Sequence, residues 1–403
     1  MTGSRAGAAQ DGAVQEAGQV RYAVINHVAV FTLDWPKALN ALSHGMVTQI
    51  ATRLEACRGD DDIYAIAFTG DGPKAFCAGG DVRGIYALAR AGDTAWLDFF
   101  IDEYRLDYEL HHFPKPVLAL MDRITIGGGM GIGQAASVRI VTERTRIAMP
   151  ETRIGLVPDV GATHFLSGMP AEAELYVGLT GVMLGGGDAL ALGLADVCVS
   201  PAWADGFAAW LAALDWRGGE LDIAAAVTAQ SVAAGPATHS TIAARLGEIS
   251  RHFAVGHSVE QMIASLERGL ADGAAGTNSG NDDSASGHRP EPAAGEADWR
   301  RAALEALQHC SPTMLKVTRE ALLRGRRMTL ADCFRSELAI VRRTISEGDF
   351  VEGVRALLVD KDRTPQWRPP TLAAVRDEDV EAYLASPWSA TGHPLADLGE
   401  RAL

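Results

Sequence analysis

The chain has 403 residues, of which 47% are hydrophobic and 22% charged, and a formal net charge of −15. That composition supports one large domain with a smaller appendage and excludes a globally disordered chain. The acidic balance argues against nonspecific nucleic-acid binding, which needs a basic surface, but leaves room for a small anion held by a local basic patch.

Five cysteines, Cys57, Cys77, Cys198, Cys310 and Cys333, show neither CxxC nor zinc-finger spacing. They read as reduced thiols and point to a cytosolic protein. No apolar run reaches membrane-spanning length, so no membrane partner is expected. Residues 1–20 are small and polar and lack the apolar stretch of a signal peptide; they read as a disordered tail.

In chain order, YAVINHVAVFTLDWP reads as two β-branched runs turning at Asn26 and His27, a hairpin. In SHGMVTQIATRLEACRGD, Ser43 is placed to cap a helix whose Met46, Ile50, Leu54 and Cys57 fall on one face. IYAIAFTG is a buried strand, followed by the loop KAFCAGGDVRGI. Residues 93–112 pattern as a helix. KPVLALM is a further apolar strand running into ITIGGGMGIG, and the small residues of 127–136 suit a tightly packed helix. TRIAMP is a short strand ending at a turn on Pro150. Strand, strand and helix recur with short connections, which predicts an α/β core of stacked ββα units over residues 21–200. From 201 to 403 strand signals fade into a helical region. It is interrupted at 273–298 by GAAGTNSGNDDSASGHRPEPAAGEAD, which has almost nothing to bury and reads as a disordered insertion.

Each glycine loop follows an apolar strand and opens a helix. Were the ligand a thioester, its carbonyl oxygen would gain negative charge under attack. Backbone N–H groups at Gly80 and Gly128 could stabilise that charge, the latter at a helix start where N–H groups are unpaired. A lone GGD or GGG is as readily a tight turn or a packing point, and the pattern alone leaves both readings open. GGGMGIG does not meet the GxGxxG spacing of a dinucleotide fold, and no metal constellation stands out, so no cofactor is expected.

The segments WPKALNAL, KAFCAGGDVRGI, KPVLALMDRITIGGGMGIG, AMPETRIGLVPDVGATHFL and DFVEGVRALLVDKDRTPQW occur in the order of the motifs of the crotonase (enoyl-CoA hydratase/isomerase) superfamily, which the chain resembles along most of its length. The resemblance implies a ClpP-like superhelix of stacked ββα units with a helical C-terminal region. It is nearest to the branch that hydrolyses short 3-hydroxyacyl-CoA thioesters, 3-hydroxyisobutyryl-CoA foremost, in valine breakdown. CoA is then part of the substrate, and a homo-oligomer is possible.

Carried over position by position, the resemblance implies an oxyanion hole at Gly80 and Gly128, and a catalytic carboxylate at Glu151 assisted by Asp159. Substrate contacts fall to Glu103, Gly128, Glu151 and Asp159. A CoA pocket is implied at Lys37, Ala38, Leu39 and Ala78, with Lys361 meeting phosphates, although the local spacing at Lys361 differs slightly. Taken alone, Lys37 would read as a solvated lysine, Asp159 as a turn residue and Glu103 as a helix-surface residue. The family's hydratases carry a second glutamate where this chain has Gly131, so the two-glutamate route of water addition is disabled here. An isomerase using one carboxylate is the nearest rival, and a non-catalytic acyl-CoA binder a remote one. Cys77 beside the loop reads as a space-filling thiol, and His111 and His112 have no recognisable partner.

Overall fold

The computed structural model describes residues 18–216, 221–233, 235–276 and 294–399. The tail up to residue 17 and the middle of the predicted insertion, 277–293, lie outside the described residues. The strand pattern starts at Gln19, and helices reach into both ends of the insertion, to Gly276 and from Ala294.

Strands β1 (Gln19–Ile25) and β2 (Val28–Asp34) form the predicted hairpin, paired antiparallel with Ile25 opposite Val28. Asn26 and His27 take φ of 46° and 66°, the left-handed pair that a two-residue turn needs. Helix α1 (His44–Arg58) starts at Ser43, whose Oγ accepts from the Met46 N–H at 3.3 Å, and buries Met46, Ile50, Leu54 and Cys57 as the spacing predicts.

The chain then winds as a spiral. Strands β3 (Ala65–Gly70) and β4 (Ala75–Cys77) are followed by helices α2 (Val82–Ala91) and α3 (Trp96–His111). Strands β5 (Val117–Leu120) and β6 (Ile124–Ile126) lead into α4 (Gly128–Ala135), and β7 (Val138–Val141) and β8 (Arg146–Ala148) complete the next turn. The short strands β9 (Leu184–Gly185) and β10 (Val197–Cys198) close the core. Each turn leaves one strand in each of two sheets, ordered β1-β2-β3-β5-β7-β10 and β4-β6-β8-β9. All pairs are parallel except β1·β2 and β8·β9. This is the stacked ββα superhelix.

Parallel strands need long crossovers and are buried on both faces. Accordingly, Phe31, Ile66, Phe68 and Val117 face the main core, while Val30, Ala67, Leu118 and Ile140 face a second layer built on Phe207 and Leu211. That explains continuous apolar runs where alternation might be sought.

Beyond β10 the described chain carries helices and connecting loops, with no strand beyond a bridge between Val199 and Ser231. The helix Leu330–Glu347 packs on α3, and Phe350–Val354 packs on α2 and on the turn Glu151–Ile154. At that last contact, Gly353 lies against the backbone of Ile154, and Gly155 against that of Asp349. The helical region thereby roofs the end of the superhelix where the glycine loops meet.

Candidate active site

The first loop is held by a short ladder. The Leu42 N–H donates to Gly79 O, and the Asp81 N–H donates to Leu42 O, each at 2.8 Å. Asp81 then caps α2, accepting from the Gly84 N–H at 3.1 Å. The second loop leaves β6 through Gly127 (φ 52°), a conformation that L side chains rarely adopt, and Gly128 is the first residue of α4. Among the described residues, neither the Gly80 nor the Gly128 N–H has an acceptor. The two loops lie side by side: a Cβ on Gly128 would stand 3.4 Å from Gly80 N and would collide with Glu103 Oε1. A Cβ on Gly127 would stand 3.2 Å from Glu151 Oε1. Two unpaired donors and two carboxyls therefore surround one point.

That point lies in a cavity of about 590 Å³. Glu103, Glu151 and Asp159 line it with both glycines, and its apolar wall includes Phe99 and Val182. The helical region supplies Ala303, Phe350 and Leu357 to the same wall.

The three carboxyls are all buried. Burial pushes the Glu151 carboxyl well above the usual range, reinforced by the charge of Asp159, and its Oε2 has no hydrogen-bond partner among the described residues. Burial likewise lifts Glu103, helped by Asp107 and Asp159, and its Oε1 is unpartnered. Asp159 rises to about 6, burial outweighing the Tyr104 hydroxyl that donates to its Oδ2 at 2.6 Å. An ionised carboxyl in such surroundings is a stronger base than one in water, which suits proton abstraction or attack on a carbonyl. The Cys77 thiol is fully buried, donates to Gly79 O at 3.6 Å and is pushed up to about 12 by burial, so it is no thiolate nucleophile.

The predicted CoA residues also come together. Lys37, Ala38, Leu39 and Ala78 line an adjoining cavity of about 610 Å³, which shares Ala78, Gly80, Val82 and Leu358 with the first. The Ala78 N–H donates to Leu39 O at 3.0 Å, fixing that wall. Lys361 lines neither cavity; it follows the turn Arg355–Val359 that carries Leu357 and Leu358.

Sequence reasoning missed Tyr104, Asp107 and Arg83. Tyr104 and Asp107 share the buried side of α3 with Glu103. The signal was available as Glu103 and Asp107 spaced one turn apart on a helix face that is otherwise apolar. Arg83 lines the adjoining cavity and donates to Leu358 O at 2.9 Å.

A sequence profile of the enoyl-CoA hydratase/isomerase family matches residues 28–384. The chain is 36% identical over 354 residues to the 3-hydroxyisobutyryl-CoA hydrolase, mitochondrial, of Gallus gallus, covering 87% of this chain and 85% of the relative. It is 33% identical to the protein of the same name in Danio rerio, covering 91% and 90%. A crystal structure described as a carnitinyl-CoA dehydratase from Mycobacterium thermoresistibile superposes with a TM-score of 0.77 at 38% identity, covering 91% of this chain and 96% of the other. The mitochondrial names of the two hydrolases overturn the cytosolic expectation. Unpaired buried thiols do not choose among reducing compartments. With a profile match that spans the glycine loops, the carboxyl pocket and most of the helical roof, the chain belongs to the enoyl-CoA hydratase/isomerase family.

Proposed function

We propose that the protein hydrolyses the thioester of a short 3-hydroxyacyl-CoA, 3-hydroxyisobutyryl-CoA foremost, to the 3-hydroxy acid and CoA, a step of valine breakdown. The observation that carries this reading is Glu151, with an unpartnered carboxyl oxygen, beside the unpaired N–H groups of Gly80 and Gly128. The names of relatives matched along most of the chain support the same acyl group.

In this reading the thioester oxygen accepts from both glycine N–H groups as negative charge grows on it; each such donor is worth roughly 100- to 1000-fold in rate. Glu151 works by one of two routes. It attacks the carbonyl carbon, expelling the CoA thiolate and leaving a mixed anhydride that water splits. Otherwise it takes a proton from a water that attacks directly. Asp159 and Glu103 orient the 3-hydroxyl or the water. CoA lies along the cavity of Lys37 and Leu39, and no cofactor beyond the CoA of the substrate takes part.

Gly131 has no side chain with which to supply a second carboxyl from α4, which speaks for hydrolysis over water addition. One observation favours the rival: the similar crystal structure described as a dehydratase. Free thiol from 3-hydroxyisobutyryl-CoA and loss of enoyl absorbance from crotonyl-CoA, followed in parallel, separate the two. Thiol release without hydration is expected; hydration without thiol release would refute the proposal. Single turnover in oxygen-18 water tests the anhydride route: label in Glu151 establishes it, because direct attack of water on the thioester leaves none there. Light scattering on the purified protein decides whether it forms the homo-oligomer that the resemblance leaves possible.

A further inference from the structure

Behind the acyl pocket lies a second, small chamber. Asp107 sits one turn after Glu103 on α3, and it is 2% exposed. Both of its carboxyl oxygens lack a hydrogen-bond partner among the described residues. A buried carboxyl with neither oxygen satisfied calls for an occupant or a role. It faces a chamber of about 30 Å³, lined also by His111, Gln134 and His164, which is large enough for a water molecule. Gly131 makes the arrangement possible: a Cβ there would collide with Asp107 Oδ2 and stand 2.9 Å from Val160 Cβ. Val160 lines both this chamber and the acyl pocket, so a single residue separates them at that point.

The chamber leads outward. The rings of His111 and His164 lie 6.1 Å apart, nearly perpendicular. His111 is exposed and His164 half-buried. Burial lowers both imidazoles, helped at His111 by His112, His164 and Arg139, so both are neutral proton acceptors near pH 7. The other titratable groups around Asp107 are Glu103 and Tyr104 on α3, the Cys77 thiol under the first glycine loop, Asp159 in the loop after Glu151, and Glu337 on the helix Leu330–Glu347. Arg139 donates to Oε1 of Gln134, on the chamber wall, at 2.9 Å.

The chemistry of the proposed hydrolysis, on which this inference rests, needs such an exit. Water brings two protons to the thioester. The CoA thiol keeps one, and the product acid ionises and releases the other. One proton per turnover must therefore leave a site whose mouth is filled by acyl-CoA and whose wall includes Phe99, Phe350 and Leu357. We propose that Asp107, a water in the chamber and the pair His111–His164 carry that proton out of the back of the site. Asp107 takes it from the Glu103–Asp159 side and passes it through the water to an imidazole, which gives it to solvent.

The test compares Asp107→Asn, which keeps the shape of the side chain, with wild type in weak buffer. Thiol release and proton release are followed together with a pH indicator. The expected result is a kcat lower by about 10-fold with KM unchanged, and recovery of most of the lost rate on adding imidazole or formate, which ferry protons in place of the carboxyl. The double variant His111→Gln/His164→Gln should show the same buffer-rescued loss. Asp107→Asn with wild-type kcat, or with a loss that no buffer restores, would overturn the relay and leave the hydrolase reading standing. Absence of thiol release from the wild-type protein would overturn both.

Discussion

Glu337 and Glu151 are both buried carboxyls, and the fold surrounds them differently. Glu337 accepts from the Gly161 N–H at 2.7 Å, the Thr163 N–H at 2.9 Å and the Thr163 hydroxyl at 2.6 Å. Burial still lifts it to about 8, but both of its oxygens are engaged. Glu151 Oε2 and Glu103 Oε1 have no partner among the described residues, and both residues line a cavity flanked by two idle backbone donors. The first environment is complete: it ties the helix Leu330–Glu347 to the loop beside the site. The second is finished only by a ligand that brings a carbonyl oxygen to the donors and a carbon to the carboxyl. Buried polar groups are normally satisfied, so unsatisfied carboxyl oxygens that line a cavity beside idle donors mark where substrate is to go.

That contrast can be sharpened by substitution. The largest effect among the pocket's neighbours is expected from Gly128→Ala. Its Cβ meets Glu103 and crowds Gly80 N, so thiol release should fall by roughly 100- to 1000-fold while the melting temperature moves little. Steady-state thiol assays on this variant check it; near-normal kcat would mean that the donors are not used.

Asp159→Asn tests the electrostatics of the pocket. The Asp159 charge raises both Glu151 and Glu103. Removing it lets both ionise at lower pH, so the acid limb of kcat/KM should move down in pH. The rate should also fall by about 10- to 100-fold, because Asp159 no longer accepts or orients a proton. A limb that stays in place would show that Asp159 does not couple to the reacting carboxyl.

Glu337 should act on stability instead. Its folded-state pKa is raised, so the native state binds more protons than the unfolded chain at intermediate pH. Stability from this group is therefore fully present below the ordinary carboxylate range and is lost as pH rises through about 8. Glu337→Gln sets an amide N–H against the donors of Gly161 and Thr163. It should cost about 1–3 kcal/mol and flatten the dependence of melting temperature on pH between 5 and 8. Thermal melts across that range measure it, and an unchanged slope would count against the assignment. The smallest effect belongs to Cys77→Ala, which empties space beneath the first loop; activity should stay within about twofold. A dead but folded variant would return the thiol to the mechanism.

Much of this architecture is legible in the sequence. Asn26-His27 between β-branched runs marked the hairpin, and Met46, Ile50, Leu54 and Cys57 marked the inner face of α1. Both glycine loops, with Glu103, Glu151 and Asp159, converge on one cavity. What escaped had physical reasons. Strands β6, β9 and β10 are two or three residues long, too short to show a period, and β7 lies in a run that carries Arg139 between apolar residues. Asp107 and Tyr104 sit in the charged string DEYRLDYEL, where burial depends on the helix Leu330–Glu347 more than two hundred residues away. The apolar wall from Ala303, Phe350 and Leu357 likewise reaches the site only through tertiary packing. Lys361 was placed by resemblance alone and lines neither cavity.

The most direct test is the rate of thiol release from 3-hydroxyisobutyryl-CoA by Glu151→Gln and Glu337→Gln, measured side by side on folded protein. The unsatisfied carboxyl should be indispensable, with Glu151→Gln down by about 1000-fold or more, and Glu337→Gln should remain within a few-fold of wild type. An active Glu151→Gln, or a dead Glu337→Gln that still folds, would contradict the division between a waiting carboxyl and a structural one.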